Sequence, residues 1–109
     1  MVDKILTASG IPYRQGRFLN PPKNTFGVYF DDRDTGGGPD PLPGAPLLIR
    51  HDVTVELYEP KADPEAEVAL EAQLIAAGLH WTRTDREWLQ NVQRYEVIYE
   101  FSYNEKRRA

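Results

Sequence analysis

Cysteine is absent from the chain, which removes disulfides, thiolate metal sites and cysteine nucleophiles while leaving the redox compartment open. Histidine is scarce, with two in 109 residues. No apolar run approaches the ~20 residues that span a bilayer, and Met1-Val2-Asp3-Lys4 lacks the basic-then-apolar order of a secretion signal. A soluble cytosolic protein that engages no membrane is the expectation. A concentrated basic surface is also missing: thirteen basic residues stand against seventeen acidic, net −4, interspersed except for Lys106-Arg107-Arg108. Tight or sequence-specific nucleic-acid binding depends on such a surface and is not expected. At this length the chain reads as one domain, 1–109, that buries roughly two-thirds of the surface of its unfolded form.

What the sequence does have is alternation. From Arg94 to Tyr103, Tyr95, Val97, Tyr99, Phe101 and Tyr103 fall on every second residue, and only Ile98 breaks the polar set between them. The period of two predicts a half-buried strand with an aromatic face. Such a strand needs partners on both edges and a helix or second sheet across that face.

The remaining elements follow in chain order. Val2, Ile5, Leu6 and Ala8 predict a short helix over 1–9, stopped by Gly10. Arg14–Phe18 reads as a short strand, ended by Asn20-Pro21-Pro22. Thr25–Phe30 restarts the alternation with Phe26, Val28 and Phe30 on one face, and Gly27 marks a bulge or close backbone approach. Residues 31–46 are rich in glycine, proline and aspartate and read as a long flexible loop. Leu47–Tyr58 is a second strong strand, with Leu47, Ile49, Val53, Val55 and Leu57 facing the core and His51 at a core-face position. Asp63-Pro64-Glu65 opens a helix through an N-cap carboxylate and proline at the first turn, running to Ala77 with Gly78 beyond. Leu79–Thr84 suggests another strand, 84–87 a turn, and Trp88 the start of the last strand or a bulge before it. Residues 104–109 read as a polar tail. The order predicts an α+β fold: a mostly antiparallel sheet of about four strands with two helices packed on one face and a long loop between the first two strands.

Candidate chemistry is thin. His51 and His80 have no carboxylate at a ligand spacing, so no metal site is expected and a hydrogen-bonded, half-buried His51 is favoured. Gly36-Gly37-Gly38 lacks the Gly-Lys-Ser/Thr ending of a phosphate loop. Asp31, Asp32, Asp34 and Asp40 lack calcium-loop spacing and read as a solvated acidic loop. Neither Ser9 nor Ser102 sits on a nucleophile elbow. No acids pair as general acid and base, since Glu56 and Glu100 suit a wet sheet face. The aromatic strand could stack bases, but core packing explains its mixture with Val97.

The helix over 63–77 carries two apolar stripes at 100° per residue. Ala66, Leu70, Leu74 and Ala77 make one, expected in the core. Val68, Ala72 and Ile75 make another on the opposite side, expected either at a neighbouring subunit or under the N-terminal helix or the long loop.

Pro22 with Phe26-Gly27-Val28-Tyr29, Val53–Tyr58, Asp63-Pro64-Glu65 opening a helix, and Tyr95–Phe101 together resemble the small tail-completion proteins of long-tailed bacteriophages, the tail terminator or head–tail joining group. The likeness runs from the first helix to the last strand and departs at the loop rich in glycine and proline. The resemblance implies a structural protein without catalytic residues, cofactor or metal. Such proteins form a hexameric ring that caps the tail tube, stops its growth and offers a docking surface to the head connector, with DNA passing through. The implied partners are other copies of the chain, the tube protein and the connector protein, and the implied location is the head-proximal virion tail after assembly in the host cytoplasm. In that setting Val68, Ala72 and Ile75 are the candidate subunit interface, and Asp31, Asp32, Arg33, Asp34 and Asp40 the candidate docking loop. The alternative is a monomeric adaptor that grips one protein partner through residues 31–46; an enzyme ranks third because no paired, perturbed groups stand out.

Overall fold

A computed structural model describes residues 1–34 and 46–108. Two helices, α1 (Val2–Ser9) and α2 (Pro64–Ala76), accompany six strands: β1 (Tyr13–Gln15), β2 (Phe26–Asp34), β3 (Pro46–Glu59), β4 (Trp81–Arg83), β5 (Glu87–Leu89) and β6 (Arg94–Arg108). The sheet order is β1-β2-β3-β6-β4, with β5 also on β6. Among the described residues only the β1–β2 pair is parallel. The fold is α+β, with six strands among the described residues where about four were expected. The excess is the short pieces: β1, three residues beside β2, and β4 and β5, which lie in succession along one edge of β6.

The long central pair runs the length of the molecule. β6 has fifteen residues, about 48 Å at ~3.4 Å per residue, and this sets the 51 Å long axis. Residues 104–108, expected as a polar tail, continue the ladder against Pro46–Arg50. Likewise β2 runs through Asp31–Asp34 opposite Val53–Arg50, so the connection to β3 begins later than the composition suggests. Tertiary pairing overrides the weak strand propensity of these aspartates. The expectation of a flexible loop otherwise falls on residues 35–45, outside the described residues.

Register explains the core. Val53, Val55 and Leu57 stand opposite Phe101, Tyr99 and Val97, and these inner-face side chains pack with Val2, Ile5 and Leu6 of α1 and Leu70 and Leu74 of α2. Both helices therefore lie on one face of the sheet. α1 ends where Gly10 takes a left-handed φ of 77° and its N–H donates to the Thr7 carbonyl, a conformation that costs other residues steric strain. α2 begins as its sequence demands: the Asp63 carboxylate accepts from the Ala66 N–H at 3.1 Å, ahead of Pro64.

Phe26, Val28 and Phe30 do share a face, and it is the outer one. Phe26 and Val28 are nonetheless buried; Phe18 packs edge-on against Phe26 at 5.2 Å and Tyr58 stacks on it at 5.3 Å. Gly27 holds the inner-face slot between them, where a Cβ would come 3.4 Å from Leu57.

Candidate assembly surface and its supports

α2 turns two different sides to its surroundings. Leu70 and Leu74 have no exposed surface, whereas Val68 is 63% and Ile75 66% exposed, with Ala72 exposed between them. The apolar stripe Val68–Ala72–Ile75 thus lies bare; α1 packs on α2 but does not cover it. Large aliphatic side chains grouped this way on a helix are the kind of surface that a partner covers.

One flank of α2, between the core side and the bare stripe, is anchored by a buried ionic cluster. Glu67 is 3% and Glu59 0% exposed. Arg86 donates to both Glu67 oxygens, at 2.8 Å to Oε2 and 3.1 Å to Oε1 through Nη2, with a further bond from Nε, and lies 3.3 Å from Glu59 Oε1. Arg83 donates to Glu67 at 2.9 Å and to Glu71 at 3.0 Å, and the Tyr99 hydroxyl donates to Glu71 at 2.6 Å. Arg86 reaches inward because the edge bulges between β4 and β5. There the Thr84 N–H donates to the Ile98 carbonyl and the Thr84 hydroxyl accepts from the Ile98 N–H, leaving Asp85 and Arg86 outside the ladder, as bulges re-aim side chains.

Glu59 Oε1 accepts from the Asp63 N–H at 2.9 Å, while Oε2 meets no conventional donor among the described residues. The neighbouring Glu67 carboxylate is a hydrogen-bond acceptor for Glu59 when Glu59 carries a proton. Burial first, then that hydrogen bond, pushes Glu59 up to about 7. Burial would push Glu67 up as well, but the hydrogen bonds from Glu59, Arg86 and Arg83 outweigh it and hold Glu67 below its ordinary value. One carboxylic acid and one carboxylate is the arrangement two close acids adopt out of water. The cluster fastens the β4–β5 edge and the end of β3 to α2, and so fixes the rotation of the helix that carries the bare stripe.

A second polar group marks the end of the helix-covered core. His51 is 3% exposed, with Nδ1 2.8 Å from Asp31 Oδ1 and Nε2 3.4 Å from Glu105 Oε1, and its ring lies flat on Tyr103 at 4.4 Å. A ring carrying a proton on each nitrogen can donate to both acids. Hydrogen bonds from Arg107 chiefly, and from His51, hold Glu105 below the ordinary carboxyl range against the pull of burial. The favoured reading of His51 as a hydrogen-bonded side chain on the core face matches this geometry, but the ring is buried rather than half-buried.

Asp31, assigned to a docking loop, instead points inward and is spent on His51. Asp32, Arg33 and Asp34 are exposed strand residues, and Asp40 lies outside the described residues. Sequence reasoning missed the Glu59–Glu67 pair, which no motif or spacing marks. Among the described residues no group of three or more His, Cys, Asp or Glu is arranged to hold a metal ion, and no helix is long and apolar enough to cross a membrane. Comparison with protein-family models gives no match, and comparison with curated protein sequences gives none either.

Proposed function

We propose that this chain is a structural subunit of the phage tail-completion kind, copies of which close into a ring on the head-proximal end of the tail tube. By analogy with the group it resembles, the ring has six members, halts tube growth, offers a face to the head connector and lets DNA pass. Its partners are then itself, the tube protein and the connector protein, and the role calls for no catalytic residue or cofactor. The net charge of −4 suits a channel along which DNA slides without being gripped.

The observation that carries the reading is the bare stripe Val68–Ala72–Ile75 on a helix whose other side is locked to the core. Covering Val68 and Ile75 contributes roughly 1.5–3 kcal/mol per side chain, repeated at every contact around a closed ring. Ile75→Glu tests it. An exposed position tolerates the change within about 0.5 kcal/mol, so circular dichroism and melting should be unchanged, while a desolvated carboxylate at the subunit contact forbids the ring. Loss of tail assembly with an intact fold is the expected result. A variant that assembles normally would put the interface elsewhere, and one that unfolds would put Ile75 in the core.

A further inference from the structure

A ring closed by one repeated head-to-tail contact needs two different faces on each subunit, one that protrudes and one that receives. The stripe on α2 supplies the first. Glu65, Val68, Ala72 and Ile75 recur along it at three- and four-residue spacing, which places them on one side of the helix, and all four are exposed. The second lies on another flank of the same helix, where α1 and α2 leave a groove of about 540 Å3 between them. Met1, Lys4 and Ala8 form the α1 wall, Gln73 and Ala76 form the α2 wall, and the buried Ile5 also lines it.

The two faces match in length, shape and charge. Val68 to Ile75 is seven residues of helix, about 10.5 Å at ~1.5 Å per residue, and Met1 to Ala8 is the same distance along the chain. Branched side chains stand out from the stripe, whereas the alanines at 8 and 76 keep the groove walls low, and helices pack by seating such ridges in such grooves. Lys4 is the one charged side chain lining the groove, and Glu65 is the acid one turn from Val68. Neither has an ion-pair partner among the described residues. We infer that the α1–α2 groove receives the α2 stripe of a second copy of this chain, with Glu65 of the partner subunit meeting Lys4. This rests on the ring reading and supplies the receiving half of the contact. Stripe and groove occupy different flanks of one helix, so neither is satisfied within a single copy, and their contact runs head to tail.

The test is charge exchange in the full chain, read by sedimentation and by electron microscopy of the chain mixed with tail tubes of a long-tailed phage. Lys4→Glu and Glu65→Lys each set like charges against one another in the contact and should raise the concentration at which rings form about tenfold or more. Both changes in one chain should bring ring formation back, and circular dichroism should stay unchanged throughout because both positions are exposed. Ala8→Trp, which fills the groove at an exposed position, should block rings with the fold intact. The chain has no cysteine, so Ile75→Cys reports on the rival arrangement. A stripe seated in a groove keeps neighbouring copies of that position apart and yields no disulfide dimer; quantitative dimers would put stripe on stripe and overturn the inference, as would a double charge variant that fails to recover. Rings that form normally with Lys4→Glu and with Ala8→Trp overturn this inference alone and leave the ring standing. A native chain that never self-associates, alone or on tubes, takes the ring down and this contact with it.

Discussion

Glu59 is the residue where burial and charge are most sharply opposed. Its carboxyl has no exposed surface, and burial beside Glu67 pushes it up to about 7, whereas in the unfolded chain it titrates near the ordinary value of about 4.3. The folded state therefore keeps a proton that the unfolded state has already lost. Stability from this group is complete below about pH 4.3 and falls as pH rises through about 7, by on the order of 3 kcal/mol in all. The contribution of Glu67 has the opposite sign and is lost only as pH falls below the ordinary carboxyl range, outside that window. Glu59→Gln keeps a polar side chain in place without the ionisation. Urea unfolding at intervals from pH 5 to pH 8 should show the native protein losing more stability than the variant as pH rises, so that the variant gains on the native protein toward pH 8. A flat native profile, or a variant weaker by the same amount at every pH, contradicts a protonated Glu59 hydrogen-bonded to Glu67. None of this was legible in the sequence, because Glu59, Glu67 and Arg86 meet only through the β3 register, the α2 rotation and a bulge. His51 was legible, since its parity along a strong strand placed it on the core face.

At the scale of elements, periodicity was a good guide wherever an element was long. The aromatic alternation of β6 and the capped start of α2 both appear where the pattern put them, and Val97, Tyr99 and Phe101 are buried. Truncating one of these should cost accordingly: Phe101→Ala is expected to lose about 3–5 kcal/mol, a large part of a small domain's stability, seen as a sharp drop in melting temperature. A stable Phe101→Ala protein that lost only a partner would mean that the inner face is a binding surface. Short and composite elements were harder to read. Three-residue strands such as β1 and β5 carry too few residues for a period, and their pairing comes from neighbours rather than from propensity. The aspartates of β2 look like loop residues, yet a ladder to β3 holds them extended and a histidine engages the first. Phe26 and Val28 gave the right parity without its direction, and Phe26 is covered by Phe18, which lies outside any regular element.

For the whole molecule, the inner face of the sheet is filled by two helices, the ionic cluster locks the β4–β5 edge to α2, and the far side of α2 remains bare. The sequence shows both stripes of that helix, but only packing decides which one is core. The proposal that the bare stripe closes copies into a ring is tested most directly by electron microscopy of the purified chain mixed with tail tubes of a long-tailed phage. The account predicts a closed ring of about six subunits seated on one end of the tube, absent with Ile75→Glu; bare tube ends, with the chain present only as monomers or singly bound to another protein, would contradict it.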